Sequence, residues 1–312
     1  MPKFEKLCVI TKQTPLEELK ARYGTKDQAR FVLEGNNVPF DGYERFDGIY
    51  QQTKAAVLAG VPADMRVSVV DFSFLPTYQF DPGALILTIG PDGLVANTAK
   101  YLAGQPIIAV NPDPQTIDGV LAGSTAAQAL NLVRGARQPK EELLAMAQAR
   151  LADGQILYAV NDLFIGQRTH VSARYEIRFK NSGEMQSSSG IIVSTGAGST
   201  GWRRSVLTGA SAIVYAEIAD QNALGAAQSY AFDRTDRKLA FAVREPFISR
   251  ASFATIVAGL VGSDEHLIVS SQMPQNGVIF SDGVESDYLE FNSGAVASIG
   301  VSERSIRLWS VA

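Results

Sequence analysis

The spacing of apolar residues changes character once along the chain, near residue 153. Before it, short apolar runs alternate with stretches of helical spacing. Lys6 to Thr11, Arg66 to Phe72, Ala84 to Ile89 and Pro106 to Val110 are apolar, β-branched runs of strand length. Between them, Pro15-Leu16-Glu17-Glu18-Leu19 opens a helix with acid in its first turn, and Tyr43 to Leu58 and Leu94 to Leu102 carry helical spacing. Ser124 to Arg134 and Lys140 to Leu151 complete this half. Such alternation predicts a parallel sheet covered by helices.

After Gly154 the runs become short and closely spaced. Ile156 to Ile165, Ala173 to Phe179, Ile191 to Ser194, Lys238 to Val243, His266 to Ser270, Val278 to Ser281 and Tyr288 to Phe291 are bounded by Gly, Pro, Asn, Asp or Ser. One helix follows Ser199. The pattern predicts an antiparallel β domain. The expected architecture is an α/β, Rossmann-like domain over residues 1–153 followed by a β-rich domain over 154–312, packed together with a ligand cleft between them.

Composition narrows the function classes. The 312 residues carry a formal net charge of -4, which gives no support for nucleic-acid binding. No apolar run reaches the ~18 residues of a membrane span. The N-terminal MPKFEKLCVI has no secretory h-region, so the expected setting is cytoplasmic. The single cysteine, Cys8, lies in an apolar run and reads as a buried hydrophobe. The two histidines, His170 and His266, are far apart without cysteine partners, so no zinc site is expected.

Three segments carry candidate chemistry. In the first, the strand ending at Ile89 runs into Gly90-Pro91-Asp92-Gly93 and then a helix. Turns at the C-terminal ends of parallel strands face the ligand crevice, and helix N-termini offer N–H groups to phosphate. Asp92 is placed to take a proton, or simply to cap the helix. In the second, Asn161-Asp162 interrupts an apolar strand; the pair serves a ligand or marks a β-bulge. In the third, Gly196 to Trp202 offers small residues that admit a ligand to the backbone. There Thr200 and Ser205 supply hydroxyls, Trp202 a flat ring, and Arg203 and Arg204 positive charge. The alternative is a Gly-rich turn with Ser199 as N-cap and Trp202 in the core.

In this order the three segments resemble the NAD kinases. That family carries a Gly-Gly-Asp-Gly turn after a strand, an Asn-Glu pair on a later strand, and a Thr-Gly-Ser-Thr-Ala-Tyr-like loop. Their counterparts look like Gly90-Pro91-Asp92-Gly93, Asn161-Asp162 and Gly198-Ser199-Thr200-Gly201-Trp202. Val110-Asn111-Pro112-Asp113-Pro114, Asn161 to Gly166 and Ser188 to Trp202 are most similar to the mitochondrial type. The resemblance covers roughly residues 80 to 300.

The resemblance implies that Asp92 is the base acting on the adenosine-ribose 2'-hydroxyl of NAD, giving NADP. It implies that ATP with Mg²⁺, or another phosphoryl donor, lies against the turn containing Gly90 and Gly93. Asn161 and Asp162 would hold NAD, and Thr200, Gly201, Trp202 and Ser205 would line the same site. A homodimer or homotetramer also follows from the resemblance. The chain departs from the family at Pro91, which has no N–H to give, at Asp162, one methylene shorter than Glu, and at Gly201-Trp202 in place of Ala-Tyr. Two other functions fit the same residues: a dinucleotide-binding protein without activity, and a kinase for a lipid or sugar hydroxyl.

Overall fold

The run Leu7-Cys8-Val9-Ile10 is buried on both faces, as the interior of a parallel sheet requires. The computed structural model describes residues 4–219, 222, 225 and 230–311. These form two units, one of residues 1–142 with 306–312 and one of residues 143–305. The division falls earlier than the change of pattern at 153, and the last residues return to the first unit. The reason is Pro139–Leu151, a strand that enters the second unit from Leu143 onward.

In the first unit, β1 (Lys6–Thr11), β2 (Arg66–Asp71), β3 (Leu85–Ile89) and β4 (Pro106–Val110) run in the order β2-β1-β3-β4, all parallel. The end of the last strand, β16 (Val296–Val311), joins them parallel to β4, with Arg307 opposite Pro106. Helices α1 (Pro15–Tyr23), α2 (Lys26–Gly35), α3 (Asp41–Gly60), α4 (Asp92–Ala99) and α5 (Ala126–Val133) complete the unit. Side chains cap three of their starts, Thr25 accepting from Gln28 N–H at α2. Thr14 with Glu17, and Thr125 with Gln128, form reciprocal capping boxes. Tyr50 and Val57 of α3 and Ala129, Leu132 and Val133 of α5 pack on Leu7, Val9, Leu87 and Ile108 of the sheet. α2 is absent from the sequence reading because it buries only Ala29 and Leu33 and leaves Phe31 in solvent.

The second unit is antiparallel. Its strands are β5 (Pro139–Leu151), β6 (Ile156–Ala159), β7 (Asp162–Gln167), β8 (Ala173–Phe179), β9 (Ser182–Ser188), β10 (Ile191–Ser194), β11 (Leu239–Val243), β12 (Ala258–Val261), β13 (Leu267–Ser271), β14 (Gly277–Ser281) and β15 (Val284–Glu290). Six form the sheet β12-β11-β10-β7-β14-β15. β9, β8, β13 and the first part of β16 pair in a second sheet. Their inner faces share one core, in which Tyr175, Ile177, Leu267 and Ile299 meet Leu163, Ile165, Val193 and Phe241. Helix α6 (Trp202–Ile218) follows the Gly-rich loop. The observed architecture is therefore an α/β unit with a parallel sheet and an antiparallel β-rich unit, as the apolar pattern indicated.

Candidate functional site

The first locus belongs to the α/β unit. β3 ends at Ile89, and Gly90 takes φ +154°, where an added Cβ would meet Leu94 Cδ2 at 2.9 Å. Glycine is required there for both conformation and space. Pro91 is the N-cap of α4 and gives its helix no side-chain cap. Asp92 opens the helix and does not cap it. Its carboxylate instead reaches the segment before α5: Oδ2 accepts from Val120 N–H (3.0 Å), and Oδ1 accepts from Leu121 (2.9 Å) and Ala122 (2.8 Å). The N–H of Leu94 donates to Pro91 C=O at 2.9 Å. That leaves Asp92 and Gly93 at the start of α4, where N–H groups have no carbonyl one turn back. Gly93 has open space at its Cβ position and an ordinary φ, so nothing in the protein itself demands glycine. A cavity of about 350 Å³, lined by Lys12, Thr14, Tyr50, Gly90, Pro91 and Thr116, sits at the C-terminal ends of β1 and β3.

The second locus belongs to the β-rich unit. The apolar run Ile156 to Ile165 is two strands, because the chain breaks at Val160-Asn161 between β6 and β7. One carboxylate caps the break. Asp282 accepts from the N–H groups of Val160 (3.0 Å), Asn161 (2.6 Å) and Asp162 (3.2 Å). Asp282 itself sits at φ +52° and Gly283 at φ +74°, in the Asp-Gly turn joining β14 to β15. The break also gives Asn161 C=O to Thr195 N–H at 2.9 Å. Among the described residues the Asn161 side chain has no hydrogen-bond partner.

Asp162 is a half-buried acid with an opposed environment. Its Oδ1 accepts from the Ser194 hydroxyl on the paired strand β10. Burial pushes its carboxyl up to about 7; the Ser194 hydrogen bond and the Arg203 guanidinium oppose the rise, and the Asp282 charge adds to it. Arg203 is buried, and its Nε has no hydrogen-bond partner among the described residues. Desolvation lowers its pKa, and Tyr230 and Asp162 act against that shift. Arg203 thus serves as a fixed positive charge near Asp162, with its guanidinium over the Tyr230 ring, and not as an exposed phosphate ligand.

The Gly-rich loop packs directly on this break. A Cβ on Gly198 would stand 2.2 Å from Asn161 C=O and 2.8 Å from Asp162 Oδ1. A Cβ on Gly196 would stand 2.1 Å from Asp233 C=O. Gly201 is the N-cap of α6, its Cβ position 3.9 Å from Asp162 Oδ2. Ser199 does not cap α6; its hydroxyl donates to Gly196 C=O inside the loop. Thr200 is exposed, and the Ser205 hydroxyl turns back to Gly201 C=O at 3.3 Å. Trp202 lies over Phe164, two residues along β7 from Asp162 and on the same face of the strand. It stacks on Phe164 (5.6 Å, 11°) and Phe280 (6.2 Å, 24°), half-buried, with Arg244 over its ring. The geometry therefore joins Asn161, Asp162, Gly198 and Gly201, and sets Trp202 on the outer face of the six-stranded sheet.

The sequence reading did not include Asp282, Ser194 or the inward role of Arg203. The Asp282-Gly283 dipeptide was a readable hairpin signal. Its reach to the strand break needs the three-dimensional pairing of β7 with β14.

No protein-family model matches the chain, and no curated protein matches it. Solved structures do. An NAD kinase from Archaeoglobus fulgidus in complex with ATP matches with TM-score 0.55 at 14% identity, over 98% of this chain and 94% of that one. Yeast NADH kinase complexed with NADH matches with TM-score 0.58 at 11% identity, over 100% of this chain and 85% of that one. The chain has the fold of these two kinases.

Proposed function

We propose that the protein is a kinase of NAD or NADH, transferring a phosphoryl group to the adenosine-ribose 2'-hydroxyl. The observation that carries this reading is the contact between two segments far apart in sequence: Gly198 lies against Asn161 C=O and Asp162 so closely that only glycine fits. A strand break, a half-buried acid and a Gly-rich loop then form one polar locus on a fold shared with an NAD kinase and an NADH kinase.

In this reading Asn161 offers its amide to the dinucleotide, and Asp162 Oδ2 accepts from a ribose hydroxyl beside Gly201. Thr200 and Ser205 supply further hydroxyls, and Trp202 an apolar wall. In the α/β unit the N–H groups of Asp92 and Gly93 receive phosphate oxygens. Asp92 takes the proton of the attacking hydroxyl, which requires one of its oxygens to exchange a Val120–Ala122 N–H for the substrate. Positioning and charge neutralisation supply most of the acceleration in phosphoryl transfer. Among the described residues no three His, Cys, Asp or Glu side chains cluster as for a metal ion. Mg²⁺ commonly binds through substrate phosphates with one or two carboxylates, so in this reading it arrives with ATP. No helix among the described residues is long and apolar enough to cross a membrane, and a cytoplasmic setting is proposed.

A second reading is a dinucleotide-binding protein without transfer activity. Asp92 favours it, since both of its oxygens already accept backbone N–H groups. So does Pro91, which removes a phosphate donor. Calorimetric titration of NAD tests what the two readings share. Binding that Asn161→Ala weakens about tenfold supports them; no heat at millimolar NAD in the folded protein rejects both.

A further inference from the structure

Val110-Asn111-Pro112-Asp113-Pro114 takes no direct part in the proposed transfer, yet it opens the loop that holds Asp92. Residues 111–124 join β4 to α5, and the two ends of this loop meet. Asn111 N–H donates to Ser124 C=O at 3.0 Å, and Ser124 N–H to Ala109 C=O at 3.0 Å. Between these ends lie Val120, Leu121 and Ala122, whose N–H groups converge on the Asp92 carboxylate.

Residues 114–120 are partly or fully exposed, so the loop has little apolar burial to fix it. Two buried side chains tie it instead. Asn111 uses both ends of its amide: Nδ2 donates to Ile117 C=O at 2.9 Å, and Oδ1 accepts from Asp113 N–H at 3.0 Å. Asp113 accepts from the Thr116 hydroxyl at 2.6 Å and from Arg45 of α3 at 3.0 Å. Fully paired buried polar groups of this kind specify one arrangement. Gly119 then closes against the same amide. A Cβ there would stand 2.9 Å from Asn111 Nδ2 and 2.1 Å from Ala122 C=O, so the turn into Val120–Ala122 is packed on Asn111 and admits no side chain. The two oxygens of Asp92 are held unequally. Oδ1 takes the N–H groups of Leu121 and Ala122, both buried residues, while Oδ2 takes only that of Val120, which is 59% exposed. Oδ2 is the oxygen that can trade its donor for a substrate hydroxyl while Oδ1 keeps the carboxylate in place.

We propose that Asn111 is a positioning residue for Asp92: it fixes the 111–124 loop so that Leu121 and Ala122 hold Oδ1 and leave Oδ2 to the attacking hydroxyl. Its effect on rate rests on the proposed phosphoryl transfer; its hold on the carboxylate does not. A base must meet the hydroxyl within hydrogen-bond reach and in one orientation, so a displaced carboxylate loses turnover and not dinucleotide affinity.

The test uses two variants of the full chain. Asn111→Asp keeps the size and Oδ1 of the side chain but sets a carboxylate oxygen against Ile117 C=O. Gly119→Ala displaces the loop from its exposed side, so it carries the test if the buried substitution fails to fold. Amide hydrogen exchange at Leu121 and Ala122 should quicken at least about tenfold in either variant, while Val9 and Ile10 of β1 stay within about twofold. With NAD, ATP and Mg²⁺, kcat should fall about tenfold and KM for NAD stay within about twofold. In an Asp92→Asn background the same substitutions should bring no further loss of kcat, since they act through the carboxylate already removed. Exchange unchanged at Leu121 and Ala122 overturns the proposal. So does a loss of kcat that persists undiminished on top of Asp92→Asn, which a merely structural role would give. A parent protein that makes no phosphorylated dinucleotide rejects the kinase reading instead, and exchange at the two amides then decides alone whether Asn111 holds the loop on Asp92.

Discussion

At the scale of the residue, two side chains decide between catalysis and binding. Asp92→Asn should lower turnover by about 10²–10⁴-fold if the carboxylate is a base, and leave NAD affinity nearly unchanged. A loss confined to affinity would instead assign Asp92 to holding Val120–Ala122. Pro91→Gly restores an N–H at the proposed phosphate site, and kcat/KM for ATP should rise by up to about 10²-fold. If an active protein becomes no faster, the turn works without that donor. Asp162 carries a pH dependence. Its folded pKa, about 7, stands above the ordinary value of 3.8. The unfolded chain releases this proton first as pH rises, so Asp162 costs stability progressively between about pH 4 and 7, reaching on the order of a few kcal/mol. Asp162→Asn should gain stability relative to the parent over that window, measured by urea unfolding at stepped pH. A constant difference would contradict the half-buried, opposed environment described for this acid.

The structural element worth probing is the break between β6 and β7. Three N–H groups converge on Asp282, and bonds to a charged acceptor are worth about 1.5–3 kcal/mol each. Asp282→Ala should cost roughly 3 kcal/mol of stability and weaken NAD binding, read by denaturant midpoint and calorimetry. Unchanged NAD affinity in the folded variant would mean that the break does not shape the site. Much of this element was legible in advance. The Asn161-Asp162 interruption and the glycines of 196–201 stand out because polar and small residues disturb an apolar run. Their mutual contact was not legible, since nothing local in Gly198 specifies that its missing Cβ would strike Asn161 C=O. Trp202 was legible as a flat ring beside the loop; its stacking on Phe164 and Phe280 was not, because it needs the pairing of β7 with β14.

Across the whole molecule, apolar periodicity exposed both sheets because the two burial regimes leave different traces. Buried parallel strands such as Leu85–Ile89 are continuous apolar runs, and two-faced antiparallel strands are shorter and punctuated. What periodicity concealed were elements with weak apolar contrast: α2, the serine-rich β9, and β16, which serves both units. The fold itself admits binding without chemistry, so activity must be measured. The most direct measurement incubates the protein with NAD or NADH, ATP and Mg²⁺, and detects the 2'-phosphorylated dinucleotide by mass, with Asp92→Asn run in parallel. The account predicts NADP or NADPH from the parent protein and a drop of about 10²-fold or more in the variant. Binding of NAD with no phosphorylated product from either dinucleotide, under ATP or any other phosphoryl donor, would contradict it.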